Sequence, residues 1–130
     1  MDDGDRKARA EAILDRIFTP AWREHGGGVA WPSAAGHDFA RLCVEHCYGD
    51  AWSRQAIDLK TRSLITLTVL ATLGSQDELE LHVRGALNLG HVPDDIVELF
   101  IHLVPYVGVP RMVQAMRLAG RVFRDRAEEA

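Results

Sequence analysis

The sequence is poor in several features that would direct it elsewhere. Its longest apolar stretch, "LITLTVLATL" at 64–73, is too short to span a bilayer and is interrupted by threonines. It has no excess of positive charge: 15 Lys and Arg against 19 Asp and Glu give a formal net charge of −4, so no global field draws in a polyanion and nucleic acid is not an expected partner. Cysteine is scarce. Cys43 and Cys47 suit a reducing compartment better than a secreted scaffold. At i and i+4 on a helix their Cβ atoms would stand about 5–6 Å apart, whereas a disulfide wants roughly 3.5–4.5 Å, so two thiols are expected. There is no internal repeat, no low-complexity tract and no sustained alternation of apolar and polar residues to argue for strands. The opening "MDDGDRKARAEAI" is acidic and mixed, unlike a charged-then-apolar signal sequence, and the expectation is a cytoplasmic protein.

What is present is the composition of a folded globular chain: 130 residues, 47% hydrophobic and 26% charged, enough for one core and one domain. Glycine, proline and cap residues divide it into about six helical segments, an all-α class. The first spans 5–18, with Ala8, Ile13, Leu14, Ile17 and Phe18 inward. A glycine-rich loop, "HGGGVAWPSAAGH" at 25–37, follows and would either fold over a pocket or simply connect. From Asp38, the spacing of Phe39, Leu42, Cys43, His46 and Cys47 predicts a helix with that face packed inward. A helix over 59–73, capped by Asp58, is apolar on nearly every side, which predicts burial all round, partly by another subunit. Gly74 ends it. "SQDE" at 75–78 then reads as a capping box for a helix running to Leu89, with Gly90 closing it. Pro93, Asp94 and Asp95 open a helix that meets Pro105, and a last helix covers 111–126, carrying Met112, Met116, Val122 and Phe123.

Within "SQDELELHVRGALNLGH" one histidine sits among apolar residues. On a helical wheel His82 falls roughly 60° from Leu79, inside the arc of Val83, Ala86 and Leu89, while Glu80, Arg84 and Asn88 take the opposite face. Glu78, one turn earlier, can reach the edge of that arc. Geometry leaves two readings of His82: a buried core histidine satisfied by one partner, or a proton carrier tuned by burial and a neighbouring carboxylate. Glu78 likewise reads as a helix cap or as that carboxylate.

The order "DLKTRSLITLTVLATLG", "LHVRGALNLG" and "VPDDIVELFIHLVPYVGVP" closely resembles the carboxymuconolactone decarboxylase family, and within it the decarboxylase branch. The likeness reaches from about "HCYGDAWSR" at 46 to Phe123. It makes 37–126 the family core, behind an N-terminal helix and loop at 1–36. In the peroxidase branch, the alkylhydroperoxidase D-type proteins, a redox Cys-x-x-Cys precedes the histidine; those positions fall here at Ser75 and Glu78, and that branch's glutamate at Ser63. A serine cannot act as a thiolate, which excludes that peroxidase route.

The resemblance implies an AhpD-like all-helical protomer in a ring-forming oligomer, a trimer or hexamer. It also implies a cofactor-free, metal-free conversion of γ-carboxymuconolactone to β-ketoadipate enol-lactone and carbon dioxide. The carboxylate leaves from a carbon conjugated to the lactone carbonyl, so the substrate supplies its own electron sink. The protein has to orient carboxylates, stabilise an oxyanion and deliver a proton. The resemblance gives His82 the proton role, with Glu78 beside it. Arg62 becomes a carboxylate clamp, and Trp52 and Arg54 an apolar wall and second cation. Arg84 lies on the far face of its helix, solvated or reaching a neighbouring protomer. Tyr48, Gln55, Ala56, Pro105, Arg111, Met112 and Val113 depart from the family pattern and point to a changed substrate. Two alternatives stand beside this reading: recruitment to another cofactor-free reaction on a natural-product intermediate, and a non-catalytic helical oligomer that binds a small acid. Cys43, His46 and Cys47 share a face but offer no fourth ligand for a structural zinc site. Glu98 and His102 read as a solvated i, i+4 pair.

Overall fold

A computed structural model describes residues 3–19 and 31–130. Among these residues every regular element is a helix and there is no strand, as the all-α reading expected. The elements are α1 (Asp3–Ile17), α2 (Ala34–Arg41) running directly into a π-helical segment (Leu42–Trp52), α3 (Leu59–Leu73), α4 (Gln76–Asn88), α5 (Pro93–Val107) and α6 (Val109–Glu129). They group into two compact units, Met1–Asp58 and Leu59–Ala130.

In the first unit α1 packs against the π-helical segment. Ala10, Leu14, Ile17 and Phe18 are buried with Tyr48 and Trp52, so Ala10 and not Ala8 faces inward. Tyr48 takes Phe18 edge-on and Trp52 at a tilt, with ring centroids 6.0 and 5.7 Å away. Arg6 grips Asp50 with both arms, Nε to Oδ1 at 2.9 Å and Nη2 to Oδ2 at 2.6 Å, which holds the Asp50 carboxyl below its usual range. At Gly49 the two backbones come so close that a Cβ would lie 2.7 Å from the carbonyl oxygen of Arg6.

Here the sequence expectation fails in register. Phe39, Leu42, Cys43 and His46, expected inward, are exposed, and the buried residues of the segment are Tyr48, Gly49 and Trp52. Hydrogen bonding from i to i+5 widens the turn, so a face drawn with α-helical spacing does not continue through it. The helix also starts ahead of Asp38, because the Ser33 hydroxyl accepts the Gly36 N–H at 2.9 Å and caps α2 at Ala34. The 25–30 stretch of the glycine-rich loop lies outside the described residues. Cys43 and Cys47 are free thiols, and burial raises the Cys47 pKa.

The second unit is built on a core of Leu67, Ala71, Leu79, Val83, Ala86, Ile96, Phe100, Met112, Leu118 and Val122, with Met116 and Phe123 packed on its margin. α3 and α4 form a hairpin closed by Gly74, whose φ of 72° is the left-handed conformation. The Gly74 N–H reaches the Ala71 carbonyl at 3.3 Å and the Ser75 N–H reaches Leu70 at 3.1 Å, the paired bonds of a Schellman motif. This explains why the expected capping box does not form. The Ser75 amide is already bonded, Ser75 makes no side-chain cap, and Glu78 is left exposed. Gly90 closes α4 in the same way, through Gly90 N–H to Leu87 and His91 N–H to Ala86, each at 3.1 Å.

α5 runs through Pro105 to Val107; proline removes the N–H that would serve the Ile101 carbonyl, but both residues lie on the exposed face, where water can take that carbonyl. In the single chain α3 is buried along one side only, and burial of the rest by another subunit stays an expectation. Ser63, Leu67 and Ala71 face the core, while Ile65 and Val69 are half exposed and Leu73 is 67% exposed. Among the described residues no helix is long and apolar enough to cross a membrane.

Candidate active site

Spacing along α4 decides which of its side chains meet the core. Leu79, His82, Val83, Gly85 and Ala86 form its buried face. His82 is 6% exposed, between Leu79 one turn before it and Ala86 one turn after. An imidazolium held there would lose most of its hydration. Burial accordingly pushes the His82 pKa down from 6.5 to about 4, so the ring is neutral at pH 7. The cause of the shift is desolvation. Glu78 stands on the solvent side of the first turn of α4.

The remaining residues singled out by sequence distribute over both units. Arg62 is half-buried, one turn into α3, next to the fully buried Ser63. In the first unit Trp52 is buried against Tyr48, and its side chain hydrogen-bonds to Cys47. Arg54, just past the end of the π-helical segment, is exposed. Arg84 neither projects freely nor needs a neighbour to pair: it bridges α4 to α6 through Asp125 at 3.3 Å and Glu129 at 3.7 Å. Arg111, one of the departures from the family pattern, lines a shallow cleft with Gly74, Gln76, Leu79 and Gln114. The His102 ring packs on Tyr106, 5.6 Å between centroids. Among the described residues no three His, Cys, Asp or Glu side chains gather as a metal site.

Sequence reasoning gave no role to His91, yet among the described residues it is the other buried histidine, 8% exposed. Its Nε2 lies 2.9 Å from the Lys60 carbonyl oxygen, in the first turn of α3, and its Nδ1 lies 3.1 Å from Oδ2 of Asp95 in α5. The same Asp95 oxygen accepts the Val92 N–H at 3.1 Å. Contact with the His91 ring, and then with Val92, holds the Asp95 carboxyl below the usual carboxylate range. The signal in the sequence was a histidine directly after a helix-ending glycine, with an aspartate at i+4.

A profile of the carboxymuconolactone decarboxylase family matches residues 37–120, well over half the chain. This chain belongs to that family. The resemblance carried by "DLKTRSL" and "LHVRGAL" therefore holds at family level. The 4-carboxymuconolactone decarboxylase of Acinetobacter baylyi is 40% identical over 88 residues, covering 68% of this chain and 66% of that protein. The nitrosuccinic acid decarboxylase of Metarhizium robertsii is 34% identical over 88 residues, covering 68% of this chain and 62% of its own length. A 15.0 kDa protein of Paracoccus denitrificans is 30% identical over 88 residues. The chain spans just under two thirds of the length of these curated relatives.

Proposed function

We propose that the chain is a cofactor-independent decarboxylase of a small carboxylic acid whose departing carboxylate sits on a carbon conjugated to an electron acceptor. The leading case is γ-carboxymuconolactone, converted to β-ketoadipate enol-lactone and carbon dioxide. The observation that carries the reading is His82, a neutral imidazole buried in α4 at the family's histidine position. The relationship to two proteins named as decarboxylases supports the reaction class.

The protein's part follows from charge. Loss of carbon dioxide leaves an electron pair that flows through the double bond to the lactone oxygen as a dienolate. The chain then needs a proton at carbon. A neutral His82 cannot give one as an acid from the resting state. When an anionic substrate binds beside it, attraction between the two charges favours the imidazolium, and His82 takes up a proton from solvent. After carbon dioxide leaves, that proton passes to the substrate carbon and the neutral ring is restored. Arg62 serves as the clamp that orients a carboxylate. Glu78, exposed on the first turn, relays protons between solvent and the site. Trp52 and Arg54, in the first unit, keep the roles of apolar wall and second cation only as what the family resemblance implies.

The relative named for nitrosuccinic acid favours a second reading on the same logic, since a nitro group beside a carboxylated carbon is also an electron sink. The departures at Tyr48, Gln55, Pro105, Arg111 and Met112 favour a shifted substrate. We propose also that the protomer self-associates as a trimer or hexamer, supported by the exposed row Ile65, Val69 and Leu73 on α3.

The test is carbon dioxide release and lactone loss with γ-carboxymuconolactone, wild type beside His82→Gln, with chelator present. Turnover that survives chelator and falls at least about a hundredfold in the variant supports the reading. A folded wild type that turns over nitrosuccinic acid but not the lactone shifts the substrate. No turnover with either acid would sink the enzymatic proposal and leave a helical oligomer that binds small acids.

A further inference from the structure

The second unit contains a polar junction that the proposed chemistry does not use. His91 touches three helices at their ends. Its backbone N–H bonds the Ala86 carbonyl at 3.1 Å and so ends α4. Its Nδ1 faces Asp95 in the first turn of α5 at 3.1 Å, and its Nε2 faces the Lys60 carbonyl in the first turn of α3 at 2.9 Å. Both ring partners are oxygens that accept when Asp95 is ionised, so each contact asks the ring for an N–H. The ring is 8% exposed, which leaves water little room to substitute for either bond.

Helix N-termini are where α-helices fray, because the first turn has the fewest bonds within the helix. α3 begins at Leu59, so Lys60 lies in that first turn and Arg62 follows two residues later. Pinning the Lys60 carbonyl from the connection between α4 and α5 restricts the turn from which the Arg62 side chain leaves. We infer that His91 is a positioning residue: through the Lys60 carbonyl it fixes the first turn of α3, and with it the direction of Arg62 toward the substrate carboxylate. This inference rests on the role proposed above for Arg62. The family motif "ALNLG" brings the chain to this junction, and the histidine that follows completes it.

Two neutral substitutions separate the two ring contacts. In His91→Gln the amide nitrogen falls near the place of Nε2 and can still donate to the Lys60 carbonyl. In His91→Asn it falls near the place of Nδ1 and can donate only to Asp95. Each variant loses one bond of a buried junction, so a merely structural role predicts similar loss of thermal stability and no difference at Arg62. The positioning role predicts a split. The Arg62 Nε–H resonance, assigned by its disappearance in Arg62→Lys, shifts or broadens in His91→Asn and stays in place in His91→Gln. KM for γ-carboxymuconolactone rises about fivefold in His91→Asn, the order expected for one lost hydrogen bond, with kcat little changed. The inference is overturned if the Arg62 signal is unmoved in His91→Asn, or moves alike in both variants. The resonance is read on the free protein, so a wild type without turnover would sink the proposed activity and still leave His91 decided by this measurement.

Discussion

Acid should unfold this protein partly through one side chain, and the size of the effect follows from its burial. His82 is 6% exposed and burial depresses its pKa from 6.5 to about 4. In the unfolded chain the imidazole takes a proton near 6.5; in the folded chain it resists until about 4. Between those values the unfolded state binds more protons, so stability falls as pH falls, with a slope of about 1.4 kcal/mol per pH unit. The contribution is fully present above 6.5 and is lost progressively below it, the loss reaching about 3 kcal/mol by pH 4. That is a large share of the roughly 5–15 kcal/mol that holds a domain together. His82→Gln carries no titrating group, so its own cost is constant with pH. Urea unfolding followed by helical circular dichroism, at fixed protein concentration and in half-unit steps from pH 7.5 to 4, gives the difference between wild type and variant. That difference should swing by about 3 kcal/mol in favour of the variant as pH falls. A difference that stays flat across the range would refute the reasoning, because it would mean that His82 gains protons equally in both states.

Other perturbations follow from the same structure. Calorimetric titration of an unreactive dicarboxylate analogue of the lactone into the protein at pH 7, in two buffers of different ionisation enthalpy, should show net proton uptake, lost in His82→Gln; buffer-independent heats would count against proton capture on binding. Leu67→Ala, at a fully buried position, should cost about 2–5 kcal/mol by denaturant unfolding. Gly74→Ala places a Cβ at φ 72° against the Arg111 guanidinium and should cost about 1–2 kcal/mol, read as a lower midpoint of thermal unfolding. Asp50→Asn removes the charge that Arg6 grips and should speed hydrogen exchange along α1, with the second unit unaffected. Val69→Glu should reduce the mass seen by light scattering to that of a smaller assembly; an unchanged mass would remove the α3 face from the interface.

Local rules carried much of the fold. Helix termini were legible wherever a single residue settles the backbone: α3 ends where Gly74 stands, α4 where Gly90 does, and α5 starts at Pro93, because left-handed φ and a missing N–H are properties of those residues alone. The burial of His82 was legible from its angle on the wheel, since α4 is regular. The face of the 42–52 segment was not, because nothing local announces a switch from i+4 to i+5 bonding. The Ser75 and Glu78 pattern promised a cap that the preceding Schellman turn had already made unnecessary.

By itself the sequence determined the helical class, the helix-ending glycines, the family and the inward direction of His82, since each depends on residue identity and spacing along one helix. The tertiary structure decided the rest. It set how far burial depresses the His82 pKa, exposed Glu78, tied Arg84 to Asp125 and Glu129, and brought His91 between Lys60 and Asp95. Lys60 and His91 lie 31 residues apart in the chain, a pairing that no periodicity encodes and that only helix packing brings within hydrogen-bonding distance.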